Sequence, residues 1–334
     1  MRLAELQRWA MRVRSSGRIL CGALVACAPA IAGLAFARST HSGAPAIHVD
    51  ATTRLIVVAP HPDDELLAAA GLMQRVVAAR GAVLVIYLTD GDGYPEGVQA
   101  RDHVAVPTAG DYRDYGKRRQ HEARDGLEAL KLGSYSFRFL GFPDGGLCKL
   151  TTSYWSERAA SYRSPFTRLD RPPRSEIVVA DTEYRGEDLT QELATLIDGF
   201  HPTLVLVPRR EDQHPDHCAA WFLVADALVD VARVRRQFRF DLLAYVVHFD
   251  DWPFAAAAPA LPPPPGLTGG VSNWIRFPLS DGELVHKRQA LQEHRTQMQV
   301  IRWFLEGFAR TNEIFSRPPP PHVVLPMRRN PCSC

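Results

Sequence analysis

The sequence predicts an α/β fold: a doubly wound, mostly parallel sheet with helices on both faces. Two observations carry that prediction. From Arg54 onward, short all-apolar, β-branched stretches alternate with longer helical patterns. Stretches apolar at every position suit strands buried on both faces of a parallel sheet, and β-α-β-α alternation implies right-handed crossovers.

Residues 55–59 form the first strand. Pro62 falls in the first turn of the helix that follows, where its missing N–H costs nothing, and residues 66–79 continue that helix. Residues 82–88 are a second buried strand, 111–132 a helix with charged exposed positions, and 137–140 a short third strand. A helix over 189–200, a strand over 203–207, a helix over 217–231 and a strand over 242–249 follow. Ser280 and Glu283 then form a capping box that opens a long amphipathic helix to about Phe315. Two insertions interrupt the pattern. Residues 143–186 lack periodicity, and 253–270 carry Ala, Pro and Gly runs expected to be loops of polyproline character. One domain, about residues 50–316, suffices.

The chain has 334 residues, 46% hydrophobic and 23% charged, ample for one large core. A formal charge of +2 with scattered basic residues leaves no footprint for nucleic acid. Residues 1–40 are a separate object. Arg2, Arg8, Arg12, Arg14 and Arg18 precede an uncharged apolar run over 19–37 that ends in Ala35-Phe36-Ala37. This is the layout of a signal peptide with a long n-region. The run is equally long enough to be an uncleaved membrane anchor with its Arg-rich flank in the cytoplasm. Leu24-Val25-Ala26-Cys27 offers a third, lipoprotein reading, although the apolar run continues past Cys27. All three export the rest of the chain, and residues 19–37 would carry any membrane association. Cys148 and Cys218 could pair in an oxidising compartment. Cys332 and Cys334 fall in a Pro-rich tail, 317–334, expected to be disordered.

The chemistry lies in two runs, Ala59-Pro60-His61-Pro62-Asp63-Asp64-Glu65 and Asp212-Gln213-His214-Pro215-Asp216-His217. Each follows an apolar strand, opens a helix, and packs together the imidazole and carboxylate groups of a catalytic zinc site. Open α/β sheets bind ligands beyond the carboxyl ends of strands, where strand order reverses. If the first strand and the 203–207 strand flank that point, the runs become neighbours. His61, Asp64 and His217 then complete a three-ligand set with water in the remaining position. Asp63 and His214 are left as base and acid. Helix capping alone would explain the acids, though not the matched histidines. Glu65 receives no role. Asp92 and Asp144, turn formers beside glycine, and His248, at the end of a late strand, are candidate substrate contacts. Asp90-Gly91-Asp92-Gly93 lacks the Glu spacing of a calcium loop. No G-x-G-x-x-G follows the first strand, which excludes a dinucleotide enzyme.

The pair of motifs resembles the PIG-L (LmbE-like) family of zinc-dependent N-deacetylases over roughly residues 54–249, with the 287–297 helix. Thr89-Asp90-Gly91, a helix with Arg119 and Glu122, and Phe142-Pro143-Asp144-Gly145 agree. The resemblance implies a Rossmann-like fold, one Zn²⁺ per chain, and hydrolysis of an acetamide, typically on an N-acetylglucosamine-type sugar. A glycolipid, polysaccharide or glycoside could carry that sugar. By motif position it implies that His61, Asp64 and His217 bind the metal and that Asp63 is the general base. His214 would stabilise the oxyanion or protonate the leaving amine, and Asp216 would orient a histidine. The loop reading Asp90-Gly91-Asp92-Gly93 departs from relatives that carry a Glu there. The rival reading is a non-catalytic, metal-containing carbohydrate-binding module; intact Asp63 and His214 argue against it.

Overall fold

A computed structural model describes residues 47–235, 237–254, 258–268, 274–318 and 332. The leader over 1–40, with its apolar run, lies outside them. Seven strands form one sheet: β1 (Arg54–Ala59), β2 (Ala82–Thr89), β3 (Ser136–Phe142), β4 (Leu204–Pro208), β5 (Asp241–Tyr245), β6 (Trp274–Pro278) and β7 (Asn312–Ser316). Their order is β3-β2-β1-β4-β5-β7-β6. The first five run parallel, and β7 is antiparallel to both β5 and β6. The chain winds outward from β1 through β2 to β3, then returns to place β4 on the other side of β1. Strand order therefore reverses between β1 and β4, where a doubly wound sheet opens its ligand crevice.

The helices divide between the faces. Leu55, Val57 and Ala59 of β1 point into one core with residues of α1 (Asp64–Ala78), α3 (Ala109–Ala129), α7 (Asp281–Glu293) and α8 (Arg295–Gly307). Ile56 and Val58 point into the other, with Leu189 and Leu193 of α5 (Gly186–Phe200) and Trp221 and Val224 of α6 (Pro215–Val234). These five side chains, Leu55 to Ala59, are fully buried, which is why the strand is apolar at consecutive positions. Two short helices, α2 (Pro95–Asp102) and α4 (Leu147–Leu150), sit in the long connections beyond β2 and β3.

Three expectations need correction. The helix expected to run to Phe315 opens on the Ser280–Glu283 capping box as foreseen. It breaks at His294 (φ −75°, ψ 60°), resumes as α8, and ends at Gly307. Phe315 belongs to β7, paired with Ile275 of β6; a five-residue buried run carries no periodicity that separates strand from helix. Pro62 is not in the first helical turn, because α1 begins at Asp64 with Asp63 as its flanking residue.

The third correction concerns the cysteines. Cys218 bonds to Cys332, not to Cys148, with Cα atoms 5.8 Å apart, and Cys148 is disulfide-bonded as well. Cys332, which falls in the stretch expected to be a disordered tail, is itself buried in the core beside α6. Linear spacing could not foretell this, since pairing depends on how close the Cα atoms come in the fold. The bridge closes a separation of 114 residues, so Cys332→Ser should lower unfolding stability by about 2–4 kcal/mol. Urea denaturation of both proteins under non-reducing conditions would measure it, and equal midpoints would mean that the tether contributes nothing. Among the described residues, no helix is long and apolar enough to cross a membrane.

Candidate metal centre

Because β1 and β4 are adjacent and parallel, their carboxyl ends bring the two motifs face to face. The β1 turn delivers His61, Asp63 and Asp64. The loop after β4 delivers His214 as the N-cap of α6, with Pro215 opening that helix and His217 in its first turn. Asp64 Oδ2 lies 3.3 Å from His61 Nδ1 and 3.2 Å from His217 Nε2. A tetrahedral zinc with bonds of about 2.0–2.1 Å holds its ligand atoms about 3.3 Å apart. The His214 ring centre is 4.7 Å from that of His61 and 5.3 Å from that of His217. His214 Nδ1 accepts the Asp216 amide at 3.2 Å, which leaves the proton of the neutral ring on Nε2. Burial first, then the neighbouring His61 and His217, push the His214 pKa down to about 4.

The other nitrogen of each candidate imidazole ligand faces a carboxylate. His61 Nε2 is 3.2 Å from Asp144 Oδ1 and 3.4 Å from Asp216 Oδ2, and His217 Nδ1 is 3.2 Å from Asp212 Oδ2. Backbone amides fix these acids. Asp216 accepts from Gly145 and Leu147, Asp144 from Gly93, and Asp212 from His214, Val247 and His248. Carboxylates so placed fix ring orientation and raise ligand basicity. Against burial that would lower it, Asp212 and Asp64 hold the His217 pKa up at about 10. Asp64 is buried, which would raise its pKa, yet His217 and His61 keep it well below the usual carboxylate range. His217 is fully buried, with each ring nitrogen 3.2 Å from a carboxylate oxygen. Two imidazoles among four buried carboxylates form an anionic pocket that a divalent cation fits.

Asp63 sits beside this set with φ at 129°, a conformation that costs a non-glycine residue of order 1–3 kcal/mol and clusters at functional sites. Arg119 of α3 donates to Asp63 Oδ2 at 2.9 Å, to Gly91 O at 3.0 Å, and to Pro62 O. Gly91 is glycine for two reasons: its φ is +64°, and a Cβ there would strike the Arg119 guanidinium. Burial pushes the Asp63 pKa up to about 7, with Arg119 opposing.

Of the candidate substrate contacts, Asp144 is drawn to His61 as described. Asp92 is buried with Oδ1 unpartnered. His248 lies just past β5, its ring 4.9 Å from His217 and stacked on Phe304 at 5.2 Å. Atoms of Asp64, His217 and His248 also lie within 4.8 Å of one another, so the structure gathers a fourth imidazole to the site. The Asp90–Gly93 loop serves Arg119 and Asp144 through the Gly91 carbonyl and the Gly93 amide.

Residues 56–228, just over half of the chain, match the family described as PIG-L: GlcNAc-PI de-N-acetylase. The chain belongs to the PIG-L family. The 1D-myo-inositol 2-acetamido-2-deoxy-alpha-D-glucopyranoside deacetylase 1 of Saccharopolyspora erythraea is 28% identical over 265 residues, 75% of this chain and 79% of that protein. Among solved structures, the N,N'-diacetylchitobiose deacetylase of Pyrococcus horikoshii superposes with a TM-score of 0.50 at 15% identity, covering 81% of this chain and 85% of that one. The conserved protein TT1542 of Thermus thermophilus gives 0.48 at 22% identity, covering 80% and 96%.

The sequence assigns no role to Asp212 or Glu65 of the two motifs, and marks Arg119 only as a residue that agrees with the family resemblance. Asp212 stands two residues before His214, at the start of the second motif, and its position was the available signal. Arg119 lies 56 residues from Asp63, and only the fold brings the two together.

Proposed function

We propose that this PIG-L protein is a zinc-dependent hydrolase that removes an N-acetyl, or other N-acyl, group from an amino-sugar compound. The observation that carries the reading is the position of Asp64 Oδ2, one tetrahedral edge from both His61 Nδ1 and His217 Nε2, with Asp63 on the adjoining strained turn. The Saccharopolyspora relative, named for its acetamido-glucopyranoside substrate, supports the substrate class.

His61, Asp64 and His217 would hold the metal, which when bound supplies Lewis-acid activation of water and of the amide carbonyl. Asp63 takes the proton of the attacking water. Arg119 opposes the effect of burial on that carboxylate and aims it. His214 presents Nε2–H to the amide oxygen as negative charge develops there, a donor fixed in advance by the N-cap bond of Nδ1. Asp63 then returns its proton to the leaving amine. Asp212 and Asp216 orient His217 and His61. Asp92, Asp144 and His248 are the polar groups at hand for the sugar.

The body is proposed to work outside the cytoplasm. The Arg-rich, apolar leader supports export, and the buried Cys218–Cys332 bridge suits an oxidising compartment. Incubating the zinc-loaded protein with a panel of N-acetylated amino sugars should release primary amine from at least one of them. Binding across the panel without amine release would favour the carbohydrate-binding module instead.

A further inference from the structure

Glu65 ends the first motif, yet no chemical step uses it. It is the second residue of α1 and fully buried, with no exposed surface at all. Acids in a first helical turn ordinarily gain from the helix dipole while facing water. Glu65 faces the core instead, where an uncompensated carboxyl is costly. Its Oε2 accepts the backbone N–H of Asp63 at 3.1 Å. Its Oε1 is buried and lies 3.9 Å from Nε2 of His294, the residue at the break between α7 and α8. His294 is also fully buried with both ring nitrogens unpaired, and the buried Tyr87 hydroxyl of β2 is a polar neighbour of the Glu65 carboxyl. A polar pocket has thus been built into the core behind the catalytic turn, and its one direct bond to that turn goes to the residue whose φ is 129°.

We propose that Glu65 is a positioning residue for the general base. It holds the Asp63 peptide while Arg119 holds the Asp63 side chain, so the strained turn has a single conformation and its carboxylate a single direction. Strain of this kind persists only where the surroundings over-determine it. Asp64 and His61 need no such support, since their ligand atoms are fixed by each other and by His217, Asp144 and Asp216. The proposal rests on Asp63 being the base, and it separates Glu65 from the metal ligands beside it.

The test compares Glu65→Met, a near-isostere without an acceptor, with Glu65→Gln, whose side-chain oxygen accepts the same bond. Metal content, kcat, KM and hydrogen exchange at the Asp63 amide are measured in each. Glu65→Met should retain one metal per chain and an unchanged KM. Its kcat should fall by about 10–100-fold, the usual cost of losing an orienting partner at such a site. Its Asp63 amide should exchange about tenfold faster or more, the counterpart of about 1.4 kcal/mol. Glu65→Gln should recover most of both. Unchanged exchange in Glu65→Met, or a kcat loss that tracks metal loss, would overturn the proposal. So would a wild-type Asp63 amide that exchanges freely, a result available even if Glu65→Met fails to fold. The exchange measurement needs no substrate, so it is decided separately from whether the protein deacylates amino sugars.

Discussion

Asp63→Asn is expected to keep the fold and the metal while cutting turnover of the best N-acylated amino sugar by about 10²–10⁴-fold, the usual worth of general acid–base catalysis. The substitution is conservative everywhere except in the chemistry. Asn still accepts the Arg119 bond through its amide oxygen, and it tolerates positive φ about as well as Asp does. The bond to the Glu65 carboxylate is donated by the Asp63 backbone N–H and survives. What the variant loses is the ability to take a proton from the attacking water and pass it to the leaving amine. His214→Ala should resemble it, because the donor facing the developing oxyanion is lost while His61, Asp64 and His217 stay in place. Steady-state amine release and metal analysis on the same preparations decide the matter. If Asp63→Asn lost metal while Asp64→Asn kept it, the roles of the two neighbouring acids would be reversed.

Much of this was legible before the fold was known, and the reason is local. Strands buried on both faces are apolar without interruption, so β1, β2 and β4 announce themselves. The two motifs sit where such strands end, and a parallel sheet needs only to place β1 beside β4 for His61, Asp64 and His217 to meet. What escaped depends on distances between remote residues. β6 and β7 are short, and one of them lay within an apparent helical stretch that breaks at His294. Cys218 finds Cys332 only because position 332 lies against α6 in the fold. Arg119 reaches Asp63 from the middle of α3, a helix whose sequence shows charged residues throughout and marks none of them as buried. Glu65 looks like any first-turn acid until its burial is known. Nearest neighbours in sequence showed what the site is made of, and contacts across the fold show what holds it in place.

Asp64→Asn should have the opposite signature to Asp63→Asn: metal affinity reduced by more than about 100-fold, beyond the range typical of orienting partners, with turnover falling in proportion. Asp64 supplies the single anionic donor of the set, and its Oδ2 is the atom within reach of both imidazole nitrogens. The same oxygen accepts the His61 amide at 2.9 Å, so it also fixes the turn that carries His61. An amide in its place can still accept that bond, so the fold survives while the charge that draws a dication is gone. The pH dependence follows from the histidines. His61 and His217 are held above their ordinary proton affinity by the surrounding carboxylates, and only neutral imidazole ligates, so zinc must displace protons to bind. Affinity should therefore fall as pH is lowered from 8 to 6, in wild type and in Asp64→Asn alike, measured by competition with a chromophoric chelator. Chelation should abolish amine release and added zinc should restore it. An affinity independent of pH would remove the two histidines from the ligand set, and full activity after exhaustive chelation would remove the metal from the mechanism.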